Sequence, residues 1–293
     1  MRTNQLVVIG GSAGGIEALR TLVAGLPADF PAPVCVVVHT APQAPGVLDE
    51  ILSRAGPLHA TNAIGGERIR PGRIYVAPPD FHLVVEPGML RVMKGPLENR
   101  FRPAIDPLFR SAAQVYGPGV IGVILTGSLD DGTAGLWTVK QTGGTAIVQD
   151  PDEALYPGMP QNALNHVNVD HVVPLAGIAP LLVELTRVPA EVPDELAVPG
   201  QINVEVKIAT EQNPIDAALE RVGQPSRFAC PECRGVLLQL KEGPYTRFRC
   251  HTGHAYSVNS LLAAISEQID ESGWVAIRAL EEGQLPMPNA SRS

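Results

Sequence analysis

Three polar side chains in this sequence each follow an apolar run, at the place where a strand would give way to a turn. Ser12 lies within Gly10-Gly11-Ser12-Ala13-Gly14-Gly15, directly after Leu6-Val7-Val8-Ile9. His39 closes Val34-Cys35-Val36-Val37-Val38, and Asp130-Asp131 sit in the turn Thr126-Gly127-Ser128-Leu129-Asp130-Asp131-Gly132 after a third run. Serine is a weak nucleophile until a neighbouring base removes its proton, and the base in turn needs a group to orient it. Ser12, His39 and one of the two aspartates therefore have the residue types for acyl transfer. Far downstream, Cys230-Pro231-Glu232-Cys233 is separated by sixteen residues (234–249) from Cys250-His251-Thr252-Gly253-His254, a spacing close to that of a two-knuckle zinc ribbon.

The elements that must position these groups follow from hydrophobic pattern. The first two apolar runs are unbroken and rich in β-branched residues, which suits strands buried on both faces of a parallel sheet. Between them Ile16, Leu19, Leu22, Val23 and Leu26 recur at helical spacing and stop at Pro27, completing a βαβ unit. Ile69–Ala77, Leu83–Val85 and Leu90–Val92 read as short strands of an antiparallel excursion. A helix over Pro107–Tyr116, the strand Val120–Leu125, a helix over Thr133–Thr142 and a strand over Thr145–Val148 continue the alternation. The expected fold is α/β: a doubly wound, mostly parallel sheet in three α/β/α layers, with a small C-terminal zinc-ribbon-like module and helix. The expected divisions are a catalytic domain at 1–186, a proline-rich linker at 187–226 (Pro189, Pro193, Pro199), a metal-binding module plus helix at 227–283, and a polar tail at 284–293.

In open parallel sheets the carboxyl ends of strands converge on one crevice, so Ser12 and His39 are expected to meet there. Gly10-Gly11-Ser12-Ala13-Gly14 fits a Gly-x-Ser-x-Gly nucleophile elbow, where small neighbours permit a tight turn into a helix whose N–H groups face a developing oxyanion. A dinucleotide-binding fingerprint fits less well. Ser12 occupies the position of the glycine that must let pyrophosphate approach, and His39 stands where an acidic residue would hold the ribose. The residues alone do not choose between Asp130 and Asp131, either of which has an N-cap alternative.

Of the 293 residues, 45% are hydrophobic and 18% charged, enough for a substantial core, and the formal net charge of -8 argues against a nucleic-acid partner. No apolar run reaches the roughly 18 to 20 residues of a membrane span, so no membrane insertion and a cytoplasmic location are expected. The chain has four cysteines. Three of them cluster at the knuckles, which in a reducing compartment suggests metal rather than disulfides, and Cys35 in an apolar strand reads as core. Cys230, Cys233, Cys250 and His254 are the expected ligands of a structural Zn²⁺. His251 is the less comfortable fourth ligand because it adjoins Cys250. A segment this short could hardly fold on buried apolar area alone, which favours a metal.

Several segments together resemble the chemotaxis protein-glutamate methylesterases, the CheB-type catalytic domain, over Leu6 to about Leu185. They are Ile9–Gly15, Val36–His39, Gly66–Pro78, Phe101–Ala112, Gly122–Gly127, Asp131–Gly135 and the tripeptide Gly158-Met159-Pro160. The resemblance implies that Ser12 is the nucleophile, His39 the general base and Asp131, rather than Asp130, the orienting carboxylate. It implies a substrate too: glutamate γ-methyl esters on methylated chemoreceptor-like proteins, with glutamine deamidation by the same route. Backbone N–H groups at Ala13, Gly127 and Ser128 are expected to hold the oxyanion, and catalysis is expected to need no cofactor. Two departures stand out. Ser128-Leu129-Asp130 replaces the family's usual Met-Gly-Asn, and the sequence opens at the catalytic strand where the best-studied form carries a receiver domain, so control by phosphorylation in cis is not expected. Signalling-complex proteins are candidate partners of the C-terminal module. The alternative is a catalytically weak or inactive adaptor that keeps the fold and binds such partners.

Overall fold

A computed structural model describes residues 5–188, 190, 223–242 and 245–283. Its main body is a seven-stranded sheet of β1 (Leu6–Gly11), β2 (Val34–Val38), β3 (His59–Asn62), β4 (Arg73–Val76), β7 (Val120–Ile124), β8 (Thr145–Gln149) and β9 (His171–Val173). The order across the sheet is β3-β4-β2-β1-β7-β8-β9, and every pairing is parallel. A separate hairpin pairs β5 (His82–Glu86) with β6 (Met89–Met93). One sequence expectation is corrected here. Residues 73–76 belong to the parallel sheet and are not part of the antiparallel excursion: β4 lies between β3 and β2, parallel to both, and its buried Ile74-Tyr75-Val76 run suits a strand covered on both faces.

Alternate residues along β1 feed two cores. Val7 and Ile9 join Leu19, Leu22, Leu52, Ile178 and Leu182 on one face, beneath helices α1 (Gly15–Ala24), α2 (Leu48–Ala55) and α6 (Leu175–Leu185). Leu6 and Val8 join Leu108, Phe109, Leu136 and Ala163 on the other, beneath α3 (Ile105–Tyr116), α4 (Thr133–Gln141) and α5 (Gly158–His166). Both faces being covered explains why the strand sequences are continuously apolar.

The C-terminal unit is an antiparallel sheet of β10 (Gln224–Ala229), β11 (Val236–Glu242), β12 (Tyr245–Cys250) and β13 (Ala255–Ser257), followed by α7 (Val258–Gly283). It begins at Gln224, three residues before the expected boundary, because β10 is a largely exposed edge strand without apolar alternation. Most of the expected linker and the whole of the expected tail lie outside the described residues. Among the described residues no helix is long and apolar enough to cross a membrane.

Candidate active site

The sheet order makes the central strand β1 a neighbour of both β2 and β7, and this is where the winding direction of the sheet changes. Ser12 follows β1, His39 follows β2 and Asp131 lies in the loop after β7. The Ser12 N–H donates to the Thr126 carbonyl at 3.0 Å, and the His39 N–H to the Gly11 carbonyl at 3.2 Å, so the three strand ends are tied together by backbone bonds. Gly14 then takes a left-handed conformation (φ 75°) to start α1, a conformation costly for a side-chain-bearing residue.

The side chains meet. His39 Nδ1 is 3.1 Å from Ser12 Oγ, and His39 Nε2 is 2.7 Å from Asp131 Oδ2. Asp131 is almost completely buried. Burial alone would push its carboxyl up, but the His39 bond, the imidazole charge and bonds from Ile105 N–H and Asn99 Nδ2 hold it below the usual range. An ionised carboxylate only accepts hydrogen bonds, so in the neutral ring the proton sits on Nε2 and the Nδ1 lone pair is left to face Ser12. Phe101 stacks flat on the imidazole, with ring centroids 3.7 Å apart and planes 9° apart. Asp130 points elsewhere: its Oδ1 accepts the Ser257 hydroxyl at 2.7 Å.

Of the three expected oxyanion donors, Gly127 is corrected. Its N–H donates to the Tyr156 carbonyl at 2.9 Å and is already committed. The Ala13 and Ser128 N–H groups have no acceptor among the described residues. Met159 is fully buried beside Gly127, so close that a Cβ on that glycine would lie 2.1 Å from its Sδ. Sequence reasoning missed Thr126, whose hydroxyl donates to the Ala13 carbonyl and accepts from Tyr156 N–H. It also missed Asn99 and Phe101, which lie on a loop without periodicity; the one available signal is that Asn readily adopts the positive φ of tight turns.

The second predicted cluster also assembles. Cys230, Cys233, Cys250 and His254 bring one ligand atom each to within 4.8 Å of the others. Cys233 Sγ and Cys250 Sγ are 3.6 Å apart, and His254 Nδ1 is 3.5 Å from Cys250 Sγ and 3.7 Å from Cys230 Sγ. Bonds of about 2.3 Å to a tetrahedral ion require sulfur–sulfur edges of about 3.8 Å, so this donor set fits Zn²⁺. The Cys230 bond pushes the Cys250 thiol down to about 2, whereas the same bond and burial push Cys230 up. His251 is exposed and lies over Gly235, where an added Cβ would meet its ring at 2.3 Å. It is not a member of the four.

Comparison with known proteins adds to this geometry. The family model for CheB methylesterase matches residues 7–182. A Leptospira interrogans protein whose assigned name combines protein-glutamate methylesterase with protein-glutamine glutaminase is 40% identical over 184 residues, which is 62% of this chain and 95% of that protein. An Anaeromyxobacter dehalogenans protein-glutamate methylesterase/protein-glutamine glutaminase is 41% identical over 183 residues, 62% of this chain but 54% of its own length. The crystal structure of the Thermotoga maritima CheB methylesterase catalytic domain aligns with a TM-score of 0.59 and 38% identity, covering 62% of this chain and 98% of that one. The matched segment is the one that carries Ser12, His39 and Asp131, and the chain belongs to the CheB methylesterase family.

Proposed function

We propose that the protein is a serine hydrolase that demethylates glutamate γ-methyl esters, and deamidates glutamines, on chemoreceptor-like proteins. The single observation that carries this reading is the continuous Ser12–His39–Asp131 relay. His39 Nδ1 takes the Ser12 proton as Oγ attacks the ester carbonyl, and Asp131 stabilises the imidazolium that results. The Ala13 and Ser128 N–H groups are the donors available to the oxyanion. Collapse of the tetrahedral intermediate breaks the bond to the methoxy group, which leaves as methanol with the proton from His39. Water then attacks the acyl-enzyme, His39 again taking the proton, and frees the carboxylate. With glutamine the first leaving group is ammonia.

The Cys230, Cys233, Cys250 and His254 set is proposed to hold a structural Zn²⁺. Four protein ligands leave no open position, so the ion would stabilise the fold of the small sheet and take no part in hydrolysis. A thiol at Cys35, buried in β2, and thiolate ligands at the knuckles suit a reducing, cytoplasmic setting.

The test is methanol release from a methylated receptor fragment, together with labelling by a serine-directed phosphonate. Wild type should release methanol and take the label. Ser12→Ala should take no label and lose turnover by several orders of magnitude, as triads do when the nucleophile is removed. Equal release by wild type and His39→Ala would remove the proposed base, and an unlabelled wild type would favour the adaptor.

A further inference from the structure

The C-terminal unit reaches the catalytic group through one short turn and, beside it, through the Ser257 hydroxyl, which donates to Asp130 Oδ1 next to Asp131 at 2.7 Å. Glu98 and Phe101 exchange backbone bonds (Glu98 N–H to Phe101 carbonyl 3.2 Å, the reverse 2.9 Å), with Asn99 and Arg100 both at positive φ (49° and 76°) between them. Two consecutive left-handed residues without glycine are conformationally costly, so surrounding contacts must hold this turn. They come from β13. The Asn99 N–H donates to the Ala255 carbonyl at 2.8 Å, and the Ala255 N–H to the Leu97 carbonyl at 3.1 Å. Ala255 directly follows His254, one of the four cluster residues.

The Asn99 side chain completes the path. Its Oδ1 accepts from the Ser257 N–H at 2.9 Å and the Ser260 hydroxyl at 3.1 Å. Its Nδ2 donates to Asp131 Oδ1 at 2.8 Å and to Asp106 Oδ2 at 3.0 Å. A backbone N–H can only donate, so the Ser257 bond dictates which end of the amide is oxygen and turns the NH₂ toward the carboxylates. The same turn carries Phe101 onto the face of His39. All four bonds of the Asn99 side chain are buried.

We propose that the metal-bound C-terminal module is a positioning device for the triad: by fixing Asn99 from the Ala255–Ser260 segment, it sets the orientation of Asp131 and, through it, of His39. The module thereby makes hydrolysis conditional on a folded, metal-loaded C-terminal unit. Asn99 is a positioning residue, since it touches Asp131 and not the reacting atoms. The inference rests on the esterase reading for its consequence, but the alignment itself can be measured without turnover.

The test uses the full chain loaded with Zn²⁺ and compares wild type, Asn99→Ala and Ser260→Ala, each before and after metal removal by a chelator. Two readouts are taken: kcat and KM for ester hydrolysis, and the low-field proton resonance of the His39 Nε2–H···Asp131 bond. Metal removal and Asn99→Ala should each lower kcat by about tenfold with KM within about twofold, the scale on which outer partners of reactive groups act. Each should shift or broaden the low-field resonance, and zinc should restore it to the stripped wild type. Stripping Asn99→Ala should add little, because both changes break one path. Ser260→Ala, which keeps the metal, should shift the resonance in the same direction by less, so the proposal is decided even if the stripped chain unfolds. An unshifted resonance in Asn99→Ala and Ser260→Ala would overturn it, as would a full additional loss on stripping Asn99→Ala while circular dichroism shows the stripped chain still folded. A wild type that takes no phosphonate yet shows these resonance shifts would instead retire the esterase reading and leave the positioning role standing.

Discussion

Asp131 accepts from four donors: the Nε2–H of His39, the N–H groups of Ile105 and Asp106, and Nδ2 of Asn99. A carboxylate can satisfy all four, whereas a carboxamide offers one oxygen and must present N–H to the rest. In Asp131→Asn an NH₂ turned to His39 would force Nε2 to accept and move the ring proton to Nδ1, where it faces Ser12 and cannot act as base. By the precedent of other Ser-His-Asp enzymes, kcat should fall by about 10⁴-fold with the fold kept, measured as turnover alongside circular dichroism. A comparable loss in Asp130→Asn would overturn the assignment of the orienting role, since Asp130 faces Ser257 and not the ring. At this scale the sequence was informative for the residues at strand ends, because strand ends converge for reasons of topology. It was silent on Asn99 and Phe101, whose positions depend on what packs against a loop from a distant part of the chain, Ser257 lying 158 residues beyond Asn99.

At the scale of elements, the glycines before Ser12 do more than permit a turn. A Cβ on Gly10 would lie 2.4 Å from Ile105 Cγ2, so the bare backbone of β1 is what lets the start of α3 settle on the sheet. The Ile105 N–H then reaches Asp131 Oδ2 at 2.6 Å. Gly10→Ala must push α3 away or distort Ile105, and overpacking of this kind costs about 1–3 kcal/mol. Urea denaturation should register that loss, and kcat should fall with it because Asp131 loses a donor; an unchanged denaturation midpoint would show that the interface yields freely. The strands of the sheet centre were legible because burial on both faces demands unbroken apolar runs. The edges were not: β3 reads His-Ala-Thr-Asn and β9 is three residues long, so neither carries the pattern. Only pairing with a neighbour already in place defines them.

Across the whole molecule, the junction between the two units is built of charge. Glu98 is buried against Arg110 of α3 and Arg247 and Arg249 of β12, at 2.5, 3.1 and 3.1 Å. A sequence reading assigns such residues to the surface, where most arginines and glutamates lie, so this contact was invisible until the units were seen together. Burial alone would push the Glu98 carboxyl up, but Arg110, Arg249 and Arg247 hold it well below the usual range. A carboxyl depressed on folding contributes stability that is present above its unfolded value, near 4.5, and is lost as pH falls through the folded value. Glu98→Gln keeps the shape but leaves buried guanidinium groups without that charge, and breaking a buried pair from one side costs about 3–5 kcal/mol. At pH 7 the variant should therefore denature at markedly lower urea than wild type. As pH falls from about 4.5 to the folded value the two midpoints should draw together, because the unfolded wild type takes up a proton that the folded one resists until that lower value is reached. A gap that stays constant down to acid pH would mean that the Glu98 charge does not hold the units together.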